Sequence, residues 1–216
     1  MMEVFAQYIL GLCFAWAVLA SVVQVAIAWG GGRQDYSVPL GSRMKGMLYS
    51  FTGAMLPSRK ESISGHKISF AIGIIFHTGL FLCLFNLLLA IAKPGMAWSL
   101  RYIFILFAGL GLVAGIYLFI RRMASAGLRA ISAADDFIAN TITTGLLAMT
   151  LVYYGYHPDA KTALWLYSAL LFLYFPLGKL RHAIFFFTAR GDLGRRLGYR
   201  GTYPPIKLRE TSDGGK

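Results

Sequence analysis

The residues in this chain whose chemistry reaches beyond packing are four histidines, His66, His77, His157 and His182. An imidazole can hold a metal through a ring nitrogen or carry a proton near neutral pH. His77 lies in an apolar run over residues 68–92, too long for anything but a membrane span, and His182 lies in a second such run over 163–187. An ionisable side chain at such a place is costly unless it is paired, solvated in a cavity or bound to a metal. Cys13 and Cys83 each stand alone in apolar runs, which excludes a disulfide framework and a cysteine-based zinc or iron-sulfur site.

The elements that must position these histidines follow from composition. Of 216 residues, 57% are hydrophobic and 14% charged, and the mean hydropathy is +0.60; soluble domains of this size do not have such a balance. The apolar runs 6–29, 68–92, 102–120, 137–155 and 163–187 predict an all-α integral membrane bundle of five transmembrane helices. Ala26-Ile27-Ala28 imitates a signal-peptide cleavage site, but Glu3 without a basic neighbour and the length of the run favour a retained helix.

Basic residues sort by alternate loops. Six lie in the first loop, three between the third and fourth runs, and nine from Lys179 onward, whereas the opposite loops carry only Lys93, Arg101 and Lys161. Positive-inside asymmetry then places the N-terminus outside and the C-terminus in the cytoplasm. Residues 1–189 form the membrane domain, with a cytoplasmic loop over 30–67, and 190–216 form a cytoplasmic tail. The net charge of +12 is thereby explained by topology, and nucleic acid is not expected as a partner.

Depth pairs two of the histidines. His77 lies ten positions past Lys67 and His182 eight before Arg190, about 15 and 12 Å from the cytoplasmic edge at 1.5 Å per residue. Two imidazoles at one level on antiparallel helices suit bis-histidine ligation of haem iron, and without a C-x-x-C-H motif the haem would be b-type. Each histidine could instead be a satisfied polar residue or part of a proton path. His66 and His157 fall at the membrane boundaries without opposite numbers; they read as interfacial residues rather than iron ligands, and either could serve in proton transfer for a quinone.

Asn140, Thr141, Thr143, Thr144 and Thr78 cluster near the same level, where Asn140 and Thr144 are candidate haem or quinone contacts. Lys179 and Arg181, with Arg121 and Arg122, lie toward the cytoplasmic side, either for propionates or as topology-setting charge. Trp29, Trp98, Trp165 and the tyrosines 153, 154 and 156 read as interfacial anchors. Ser132 to Asp135 has capping-box spacing before the fourth run. Gly111 and Gly115 form a G-x-x-x-G that serves close helix packing or makes room for a flat cofactor.

Phe76-His77-Thr78-Gly79 on the second helix, and Phe172-Leu173-Tyr174-Phe175-Pro176-Leu177-Gly178-Lys179-Leu180-Arg181-His182 on the fifth, resemble the cytochrome b (gamma) subunit of respiratory nitrate reductase. That superfamily includes membrane subunits of sulfite-reduction-associated and heterodisulfide-reductase-like complexes. The resemblance runs from the second helix on, and the F-P-x-x-K-L-x-H run is its most specific part. It implies two b haems bridging the second and fifth helices, but the outer ligand positions here are Leu87 and Leu164. One haem is therefore expected, between His77 and His182. The resemblance further implies a plasma (inner) membrane location, menaquinone or ubiquinone as substrate, and a cytoplasmic iron-sulfur partner. The basic loop and tail would receive that partner. The expected function is that of an electron-transfer subunit of a quinone-linked oxidoreductase complex; a haem-free membrane anchor and a small proton-coupled transporter are the alternatives.

Overall fold

A computed structural model describes residues 1–31, 42–57 and 66–197. The loop segments 32–41 and 58–65, and the tail from residue 198, lie outside the described residues. Among the described residues the chain is helical without strands: α1 (Met2–Gly30), α2 (Arg43–Phe51), α3 (Lys67–Ala92), α4 (Pro94–Ser99), α5 (Arg101–Ala124), α6 (Ala126–Ala130), α7 (Ala134–Leu151), α8 (Lys161–Tyr174) and α9 (His182–Leu197). The chain divides into two compact units, Met1–Ala26 with His66–His182, and Ile27–Gly65 with Ala183–Lys216.

In the larger unit, α1, α3, α5 and α7 with its π-helical extension (Val152–Tyr156) are each long and apolar enough to cross a bilayer. Their outward faces carry exposed Leu12, Val22, Ile74, Val113 and Ile138; helices apolar on every side belong in lipid or in the core of a large protein. The chain is a multi-pass membrane protein; among the described residues it has four such helices, and a fifth candidate is the bent pair Lys161–Tyr174 and Lys179–Arg195.

The bundle is built on small residues. α3 runs along α5, α5 along α7 and α7 along α8, with α3 also touching α7. At the α3–α5 crossing a Cβ on Gly79 would lie 2.6 Å from the Phe107 carbonyl oxygen and 3.0 Å from the Gly111 Cα. One turn along, a Cβ on Gly115 would lie 2.5 Å from Thr144 Oγ1 and 2.7 Å from the Phe76 ring. The G-x-x-x-G therefore serves packing, by letting α3 and α7 close on α5. Phe76, Cys83, Ala108, Ala114, Leu146, Leu147, Leu164 and Leu171 form the central core. A second cluster joins Ala6 and Leu10 of α1 to Leu87 of α3 and to Trp165 and Ala169 of α8.

α1 and α8 run in the same direction. Lys161 pairs with Glu3 at 2.6 Å, Trp16 Nε1 reaches the Leu173 carbonyl at 3.2 Å, and Gln24 Nε2 reaches the Pro176 carbonyl at 2.8 Å. Both helices thus advance together from one end of the bundle.

Three expectations are corrected. The fifth run is not one helix over 163–187: α8 ends at Tyr174 after 14 residues, about 21 Å, short of the ~30 Å hydrocarbon core. The cap of α7 is Ala133 rather than Ser132; Asp136 Oδ2 accepts from the Ala133 N–H at 3.0 Å, and the Ser132 hydroxyl turns back to the Leu128 carbonyl. Trp165 and Tyr154 are buried at 2% and 7% exposure, so they pack inside the bundle instead of anchoring at the interface, whereas Trp29 and Trp98 are exposed.

Candidate functional site

The fifth run breaks for a local reason. Pro176 has no N–H for the Phe172 carbonyl, and its ring would clash there. The Leu177 N–H turns to the Tyr174 carbonyl at 3.0 Å, which strips the Leu173 carbonyl of its helical partner. Trp16 fills that vacancy, and Gln24 caps the Pro176 carbonyl. Gly178 is required beyond the break, since a Cβ there would sit 2.1 Å from the Tyr174 ring. A 3-10 turn over Lys179–Arg181 leads into α9, whose first residue is His182.

An ionic clamp fixes this turn. The Asp136 carboxylate, at the start of α7, binds Arg122 at 2.7 Å from the end of α5, and Lys179 from the turn. Its side chain is 6% exposed. Next to it the Tyr174 hydroxyl donates to the Asp135 carboxylate and to the Asp135 carbonyl. Lys179, expected as a propionate or quinone contact, is thus already engaged, and the aspartates do more than cap a helix.

His77 and His182 share one local geometry. His77 Nδ1 lies 2.7 Å from the Gly73 carbonyl oxygen, and His182 Nδ1 lies 2.6 Å from the Lys179 carbonyl oxygen. A carbonyl only accepts, so each Nδ1 carries the hydrogen; the Nε2 of a neutral ring then keeps its lone pair. Both residues are exposed, and neither Nε2 has a partner among the described residues. The His77 ring is flanked by Phe76, edge-on at 5.6 Å, and by Phe81, tilted at 6.3 Å. No hydrogen bond or ring contact joins the two histidines. The bend at Pro176 also means that counting residues along both helices does not place them at one depth.

The other candidates stand apart. Thr144 donates to Asn140 Oδ1 at 3.2 Å, on the face of α7 toward Gly115 and Phe76, one residue from His77 in sequence. Arg181 is exposed beside His182. His66 is the exposed N-cap residue of α3, and His157 is exposed in the turn after the π-helical segment. Leu87 and Leu164 are 2% and 1% exposed, both packed in core clusters.

Asn86 was missing from the sequence-based candidates. It is 1% exposed, and its Oδ1 accepts from the Tyr154 hydroxyl at 2.5 Å, while its Nδ2 and the Trp165 Nε1 are buried without a hydrogen-bond partner among the described residues. A lone amide inside an apolar run was the available signal for Asn86, as it was for Gln24, because a polar group in a span must find a partner.

In comparison with known proteins, no family model matches this chain, and no curated protein and no solved structure matches it. Function therefore rests on the residues themselves.

Proposed function

We propose that this chain is the haem b membrane subunit of a respiratory redox complex. It would transfer electrons between a membrane quinone, menaquinone or ubiquinone, and a cytoplasmic iron-sulfur partner. The observation that carries the reading is the pair of exposed imidazoles, each with Nδ1–H tied to a carbonyl and Nε2 left without a partner. A histidine that ligates a metal holds its other ring N–H in such a bond, which fixes the ring and raises its basicity. On an apolar span an uncovered imidazole is costly, and a flat apolar cofactor with a central metal removes that cost.

In this reading His77 and His182 would hold the iron of one haem through Nε2, and the group would supply one-electron redox chemistry. Gly73 and Lys179 orient the two rings through their carbonyls. Asp136 acts one step further out as a positioning residue, because it holds the Lys179 side chain whose backbone holds His182. Quinone chemistry moves two protons with two electrons, and His66 and His157 are assigned to proton transfer. Asn140, Thr144 and Arg181 are assigned to the haem edge or the quinone. The buried side chains of Leu87 and Leu164 support a single haem, since both are committed to packing. The N-terminus is assigned to the outside and the C-terminus to the cytoplasm of the plasma membrane, with the basic segments of 30–67 and the tail from Arg190 receiving the partner.

The test is a reduced-minus-oxidised absorption spectrum of the purified subunit, or of the complex that contains it. His77→Ala and His182→Ala are each expected to abolish its b-type bands. Bands that persist in either variant would overturn the assignment, and a haem-to-chain ratio of two would overturn the single-haem form. The broken α8–α9 pair favours one second reading, a proton-coupled transporter, because discontinuous helices build transporter binding sites. Under that reading the wild type has no b-type bands at all.

A further inference from the structure

The smaller unit contains a helix pair with an apolar face that no other described residue covers. α2 buries Gly46 and Ser50 against α9. The Ser50 hydroxyl donates to the Arg190 carbonyl at 2.9 Å, and Arg190 Nη1 donates back to the Ser50 carbonyl at 3.2 Å. A Cβ on Gly194 would lie 2.6 Å from the Gly46 carbonyl oxygen, so the helices touch backbone to backbone. These contacts settle which side of α2 faces α9.

The opposite side of α2 presents Met44, Leu48 and Phe51, 69%, 65% and 38% exposed. Their spacing, i, i+4 and i+7, places them on one helical stripe. α9 extends the surface with exposed Phe186, Phe187 and Leu193. Phe51 stacks on Phe187 at 6.1 Å and meets Phe186 edge-on at 6.4 Å, which makes one aromatic patch from two helices. Exposed Arg43, Lys45 and Arg195 border the patch. The acid among the described residues of this unit is Asp192, and it pairs with Arg195 at 3.5 Å.

We propose that α2 and α9 form an interfacial element that lies on the bilayer, with Met44, Leu48, Phe51 and Phe187 in the acyl boundary and Arg43, Lys45 and Arg195 on anionic lipid phosphates. A helix with one apolar side and basic flanks settles in this way, several ångströms into the headgroup region. Guanidinium and ammonium groups there gain from the negative surface potential of an anionic leaflet. The two segments of the unit follow α1 and the α8 turn in sequence, which raises their effective concentration at the bilayer. Arg43 and Lys45 lie on the two borders of the stripe, where lipid phosphates flank a helix seated in the acyl boundary; the partner assigned to these segments would meet the residues that face away from the lipid.

The experiment uses the full chain in nanodiscs of phosphatidylcholine, with and without phosphatidylglycerol. A spin label on Leu48→Cys, in a chain carrying Cys13→Ala and Cys83→Ala, reports collision with oxygen, which enriches in lipid, and with a water-soluble nickel chelate. The expected result is a label open to oxygen and shielded from nickel. A label open to nickel in both lipids would overturn the proposal, as would one immobilised and shielded from both reagents, which indicates a protein occupant. A second measurement avoids the label: phosphatidylglycerol is expected to raise the melting temperature of the wild type and of Lys93→Gln, but not of Arg43→Gln with Lys45→Gln. An equal rise in all three would overturn the assignment of those cations to lipid. Neither readout depends on haem, so a failure here leaves the redox reading to its own spectrum.

Discussion

His77 takes its Nδ1 acceptor from Gly73, four residues back along the unbroken α3, whereas His182 takes its acceptor from Lys179, three residues back in a 3-10 turn that follows a proline break. The first arrangement is made by the helix alone. An i−4 carbonyl is always on the same face, so any histidine in α3 with the same rotamer would find it. The second depends on groups far apart in sequence: Trp16 and Gln24 on the freed carbonyls, Tyr174 on Asp135, and Asp136 on Arg122 and Lys179. One imidazole is therefore oriented by local geometry and the other by tertiary contacts, and substitutions separate the two.

The largest effect is expected from Asp136→Ala. The Asp136 carboxylate serves Arg122, Lys179 and the Ala133 N–H together; the two cations, 36% and 53% exposed, can be solvated once it is gone, so the loss is expected at about 1.5–3 kcal/mol, the scale of hydrogen bonds to a charged group. Thermal unfolding in detergent measures the loss. If the clamp positions His182, the variant also changes the redox midpoint potential of any bound haem, while a variant at the His77 side, such as Gly73→Ala, does not.

Two glycine substitutions sharpen the contrast. Gly178→Ala drives a methyl group into the Tyr174 ring, and overpacking of this kind costs about 1–3 kcal/mol. Gly73→Ala meets nothing within 4 Å, and its better helix propensity is worth up to about 1 kcal/mol in the stabilising direction. Opposite shifts in melting temperature are expected, and equal shifts would break the comparison. Smaller effects belong to the α1 side chains. Gln24→Leu and Trp16→Phe each remove a donor from a carbonyl freed by the break, at about 1 kcal/mol apiece. Cysteine accessibility at Leu177 is expected to rise in both, because the turn loosens, while accessibility at Thr78 stays unchanged.

Much of the membrane architecture was legible in the residue order. Runs of about twenty apolar residues can only be satisfied as helices in lipid, and α1, α3, α5 and α7 fall where those runs lie. In the first loop Met44, Leu48 and Phe51 stand at helical spacing in the residue order, and that stretch forms α2. The break at Pro176 was equally present in the sequence. It was read as part of a motif inside a long apolar run, and hydropathy is blind to the missing N–H that ends the helix.

The sequence by itself determined the helical membrane class and the positions of the histidines within apolar runs, because both follow from near-neighbour chemistry: helix hydrogen bonds close within four residues, and hydrophobicity is a property of each side chain. Tertiary structure decided which carbonyls would be freed and what would cover them. It also made Asp136, which caps α7, a clamp on Lys179 as well, and Asn86 the partner of Tyr154. Those outcomes join residues up to 157 positions apart, and hydrogen bonds and ion pairs act over about 3 Å. Only the packed bundle sets which groups come that close.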